Sequence, residues 1–139
     1  MKVALASITL AAVVVWGSAT SAAGANFELA DYRGSHYTPK AKAFLECAAM
    51  RESSGRWTAD GPHGSGAFQI VASTWAHYSR LAGYPEWSSK RASAAPPYVQ
   101  TEVAYLMINP HPKRPGLEGR HHWSPRHALT VGKHVEACP

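Results

Sequence analysis

The sequence predicts a mainly α single domain with one small β-turn or hairpin element. Three observations lead there. Apolar residues recur at three- and four-residue spacing in segments 38–53, 97–107 and 125–136, the signature of helices that turn one stripe toward a core. Each segment opens on a capping hydroxyl or a proline, residues that suit a helix start. Between the first and second helices lies a Gly-rich polar loop, Arg56 to Gly66, whose Asp60-Gly61-Pro62 and Gly64-Ser65-Gly66 steps are turn chemistry. The 139-residue length allows one domain, and no internal repeat or long low-complexity tract divides it.

Residues 1–25 read as a secretory signal peptide. Lys2 supplies the positive start, Val3 to Trp16 is largely apolar, and Ala23-Gly24-Ala25 fits a small-x-small cleavage site. A membrane anchor is the competing reading. The apolar run is short for a bilayer, and no basic stop-transfer cluster follows it. Residues 26–37 show no clear period and read as an extended lead-in that packs across the body, leaving 38–139 as the domain proper.

Thr38 caps the first helix and Pro39 occupies its first turn. Ala41, Phe44, Leu45, Ala48 and Ala49 form its stripe, and one further turn brings the stripe to Glu52. An acid at the end of an apolar stripe is unusual, because burial without a partner disfavours the charged form and raises the pKa. A carboxyl still protonated near neutrality is what protonation of a glycosidic oxygen requires. The ordinary alternative is a solvated Glu52 paired with Arg51 or Arg56.

Ser73 is expected to cap a second helix from Thr74 to about Ala82, with Trp75 more naturally core than ligand contact. Pro97 opens a third, with Val99, Val103, Leu106 and Met107 as its buried stripe. Tyr105 lies off the centre of that stripe, where its ring would border a groove. Asn109-Pro110 ends the helix. Residues 109–122 are Pro-, Gly- and His-rich and read as a loop. Ser124 then caps a last helix, Pro125 to about Glu136. Trp123, just before it, offers either a platform for a sugar ring or packing against the helix start.

The order of motifs carries a resemblance. Glu52-Ser53, then Gly64-Ser65-Gly66-Ala67-Phe68-Gln69-Ile70, then Ser73-Thr74-Trp75, resembles the lytic transglycosylases and resuscitation-promoting factors of the lysozyme-like superfamily. Residues 92–100 with Val103-Ala104-Tyr105-Leu106 are similar to that group's third motif. Trp123-Ser124-Pro125 and a late Cys138 are similar to the ends of the resuscitation-promoting factors. The likeness runs over residues 38 to 139. Phe68 departs from the usual Met, Asp60-Gly61 stands where many members place a Ser, the late Tyr-Asn-Ala-Gly segment is not recognisable, and Cys47 sits farther from Glu52 than in those factors.

This resemblance implies a lysozyme-like domain that cleaves the β-1,4 bond between N-acetylmuramic acid and N-acetylglucosamine in peptidoglycan. It implies Glu52 as catalytic acid. Ser53, Asp60, Gln69, Tyr105 and Trp123 are the candidate substrate-binding positions, the alternatives being a turn residue accepting local N–H bonds for Asp60 and a core-edge amide bonding backbone for Gln69. The expected route is lytic. A hydrolytic muramidase using Asp60 as second carboxylate is one alternative. A wall-binding or signalling module without turnover, or a structural secreted domain, is the other. No metal or organic cofactor is needed for any of these, and no metal-ligand spacing such as HExxH is present.

In an exported chain Cys47 and Cys138 most simply form one disulfide, two buried thiols being the alternative. The formal charge of +5 falls to +4 when the leader takes Lys2 away. A moderately basic, secreted, wall-associated monomer suits peptidoglycan strands and anionic wall polymers as partners. Lys and Arg are not concentrated with aromatics as a nucleic-acid surface would need.

Overall fold

The Thr38 hydroxyl accepts the amide N–H of Ala41 at 3.0 Å, and with Pro39 behind it α1 (Pro39–Ser53) begins where the sequence places it. The computed structural model describes residues 29–111, 118–123 and 138–139. The leader at 1–25 and the last predicted helix at 125–136 lie outside these residues. Every member of the predicted stripe of α1, from Ala41 to Ala49, is buried. The helix stops because Ser54 turns left-handed at φ 56° and Gly55 follows at φ 72°. Their amides close back on Met50 and Ala49, which satisfies carbonyls the helix leaves open.

The chain then folds the loop onto itself. Ser65 pairs with both Asp60 and Ile70 in isolated antiparallel bridges, the small β element foreseen for this stretch, and no longer strand forms among the described residues. The loop is tight enough to need glycine. A Cβ on Gly66, which has φ 75°, would stand 2.3 Å from Gln100 Oε1.

Helix α2 (Ala72–Leu81) starts two residues before the predicted Thr74. Val71 precedes it and no side chain caps it, so Ser73 lies inside the first turn instead of capping it. Trp75 is core, as its position favours, and its Nε1 donates to Trp87 O at 2.8 Å. Short 3-10 turns at Pro85–Trp87 and Ala92–Ala94 lead to α3 (Pro97–Ile108), which packs against both α1 and α2. A further 3-10 segment, Glu118–Trp123, packs on α3.

The buried face of α3 is wider than the predicted stripe. Val99, Val103 and Met107 are buried, but so are Gln100, Thr101 and Tyr105, while Leu106 is only half-buried. Gln100 is held by the loop, through Ala67 and Trp57, and Tyr105 is covered by the lead-in. Tyr32 stacks on Tyr105 with ring centroids 4.7 Å apart, and Tyr37 tilts against it at 5.8 Å. Asn109 fastens that strap, donating from Nδ2 to His36 O while its own carbonyl accepts from His36 Nδ1. Residues 29–37 thus reach the flank of α3 through Tyr32, His36 and Tyr37.

Cys47 and Cys138 are joined in a disulfide that spans 91 residues of sequence and anchors α1 to the end of the chain. No described helix is long and apolar enough to cross a membrane.

Candidate active site

Glu52 occupies the last turn of α1 and is half-buried. Burial lifts its carboxyl above the ordinary glutamate value, and desolvation is the cause. Neither arginine near it answers the charge. Arg51 is exposed, and Arg56 turns its Nε to Ser53 O at 3.0 Å. Among the described residues the Glu52 carboxylate has no hydrogen-bond or ion-pair partner.

Ser53 is buried and closed to a ligand. Its hydroxyl donates to Ala67 O at 2.8 Å, with Ala49 O at 3.2 Å, and accepts from Arg56 N at 3.0 Å. The residue expected beside the acid as a substrate contact instead bolts the end of α1 to the returning loop. It fixes where Glu52 stands.

Asp60 faces solvent. Its Oδ1 accepts from Arg91 Nε and from Ser93 Oγ at 3.2 Å. The Arg91 guanidinium also donates to Gly61 O at 2.7 Å and Gly64 O at 3.2 Å, so it clasps the hairpin from outside. Asp60 is thus the turn residue that its Asp-Gly context suggests, paired with the Arg91 guanidinium.

Tyr105 is 1% exposed, and its ring lies under Tyr32 and Tyr37. Burial pushes its hydroxyl well above the ordinary tyrosine value. The expectation that it borders a groove is corrected: the lead-in covers the flank of α3 that the periodicity left open.

Gln69 and Trp123 do come together. They line a cavity of about 470 Å³ with Ile70 and Met107, and with Ser73 and Thr74 at the start of α2. His63 and His122 complete its polar wall. Its size falls in the range of small-molecule sites. Gln69 holds φ at 49°, a left-handed backbone uncommon outside glycine. Its Nε2 donates to Gly66 O at 3.0 Å, and its amide oxygen lies beside Gly61, so the side chain is turned to the hairpin. Trp123 is 6% exposed, packed edge-on to Phe44 and Phe68, with Nε1 donating to Phe68 O at 3.1 Å. So little of the ring is exposed that it is not an open platform.

Glu52 is not among the residues lining this cavity. The two are linked through consecutive residues of one segment: Ser53 holds Ala67 O, Trp123 holds Phe68 O, and Gln69 is next in the chain.

Two contributors escape a reading of the sequence. Gln100 is buried on α3, accepts Ala67 N–H at 3.0 Å and donates to Trp57 O and Ala95 O at 3.0 and 2.9 Å. Arg91 is the other. Gln100 falls between two apolar stripe positions, and only its being an amide in a helix interior hints at a clamp. Among the described residues no group of three His, Cys, Asp or Glu is placed to hold a metal ion. Compared with family models, curated proteins and solved structures, the chain gives no match.

Proposed function

We propose that this protein is a secreted, wall-associated enzyme that cleaves the β-1,4 bond between N-acetylmuramic acid and N-acetylglucosamine in peptidoglycan, with Glu52 as its single acid. One observation carries the reading: a half-buried carboxyl without a partner among the described residues, raised in pKa by desolvation, at the end of an otherwise apolar helix stripe. A stability-driven sequence has no reason to leave an acid there, whereas proton donation to a leaving oxygen needs one.

In the proposed reaction Glu52 gives its proton to the glycosidic oxygen. The acetamido oxygen of the muramic acid attacks C1 and supports the developing positive charge. The Glu52 carboxylate then takes the proton of the C6 hydroxyl, whose oxygen displaces the acetamido oxygen and closes a 1,6-anhydro ring. The lytic route is favoured over hydrolysis because Asp60, the first acid after Glu52 in the chain, is already held by Arg91 and Ser93. Gln69 and Trp123, which line the cavity together, are the contacts for the sugar in this reading.

Glu52→Gln keeps size and removes the acid. Release of soluble fragments from purified sacculi should fall by about a hundredfold to ten-thousandfold; near-normal release would end the proposal. Asp60→Asn should cost less than about tenfold, and the products should carry the anhydro ring by mass spectrometry. Binding to sacculi with no release by the native protein would instead favour a non-catalytic wall-binding module.

A further inference from the structure

We propose that the 470 Å³ cavity reads the free lactyl carboxylate of N-acetylmuramic acid, and hence that the protein prefers glycan strands stripped of their stem peptides. The inference rests on the glycan reading above but not on turnover.

The donors decide it. His63, Ser73 and Thr74 bring an imidazole and two hydroxyls to the cavity wall, and His122, fixed by Tyr78 at 3.1 Å, brings a second imidazole. Among the described residues no Asp or Glu lines it, so none of them repels an anion there. The His63 imidazole and the Ser73 and Thr74 hydroxyls can each donate to a carboxylate oxygen, and charge-assisted bonds of that kind are stronger than neutral ones. Gln69 adds an amide side chain to the same wall. On the other side Ile70, Met107 and Trp123 supply apolar contact for the methyl groups of the lactyl and acetyl arms.

The chemistry of the sugar supplies the consequence. In peptide-bearing strands the lactyl carboxyl is an amide, neutral and without a second acceptor oxygen. A free carboxylate exists only after that amide bond has been hydrolysed. An amide hydrolysis must therefore precede this protein's action and supply its substrate.

The test is an amide-resolved NMR titration of the intact, disulfide-bonded protein with three probes: N-acetylmuramic acid, N-acetylglucosamine, and N-acetylmuramoyl-L-alaninamide, in which the carboxylate is capped and neutral. N-Acetylmuramic acid should bind at least tenfold more tightly than the other two, shifting the Trp123 indole and the Ser73 and Thr74 amides. Thr74→Val and His63→Ala should each narrow that gap to threefold or less. Equal affinity for acid and capped amide, or shifts that bypass these signals, would overturn the inference. The probe comparison on the native protein stands even if a variant fails to fold. Activity does not enter the readout, so a result here is separable from the Glu52→Gln test of the enzyme reading.

Discussion

A carboxyl held above its ordinary pKa costs the folded state something, and Glu52 makes the cost measurable. Its folded pKa is raised, so between the ordinary glutamate value and the folded value the native state binds more protons than the unfolded state. Stability therefore falls as pH rises through that window and is fully restored below the ordinary value. Glu52→Gln abolishes the dependence. The variant should melt at a higher temperature than the native protein at neutral pH, and the difference should shrink toward zero as the pH is taken to about 4. Calorimetry of both proteins across that range checks it. A variant that melts lower at neutral pH would mean the carboxylate is supported, and would remove the basis for its acid role. The same residue scale separates Glu52 from Ser53: one hydroxyl is spent on Ala67 O and the neighbouring acid is left unspent.

At the scale of elements, the site is a helix end held against a loop, and Gln100 is the clamp. Replacing it by Leu keeps bulk but strands Ala67 N–H and the carbonyls of Trp57 and Ala95, each in or near the core. Unsatisfied buried groups cost about 1–3 kcal/mol apiece, so urea unfolding should show a loss on the order of 3 kcal/mol. The loop beside Glu52 should loosen with it, read as faster amide exchange at Ala67. This clamp also shows where sequence reasoning stops. Helix α1 was legible to the residue, because Thr38, Pro39 and a stripe at helical spacing are all local signals. The Gly-rich turn was legible as a turn from its Asp-Gly and Gly-Pro steps, and Glu52 from its place on the stripe. Tyr105 was not legible, because what buries it arrives from residues 32 and 37, about seventy positions away, in a stretch without periodicity. Ser53 was misread for the same reason: its partner is a carbonyl fourteen residues on, and a hydroxyl carries no mark of which bond it will make.

For the whole molecule the Cys47–Cys138 bond ties the acid-bearing helix to the end of the chain. Cys47 lies five residues before Glu52, which sets the two about 140° apart around the helix and roughly 7 Å apart along it. The bond therefore holds α1 from a face the acid does not use, while the Ser53 and Gln100 contacts define the surroundings of Glu52 independently. Closing a loop of 91 residues removes unfolded-state entropy worth about 4–5 kcal/mol. Cys47→Ser with Cys138→Ser should thus lower the melting temperature by on the order of 20 °C. Well below that new midpoint, kcat and its pH profile on sacculi should stay within about threefold of the native values. If the reduced chain melts as the native one does, the bond is not what secures the fold. If it holds its structure but loses turnover, the tether shapes the site as well as stabilising it, and Glu52 owes its dry environment to the chain's end as much as to its own helix.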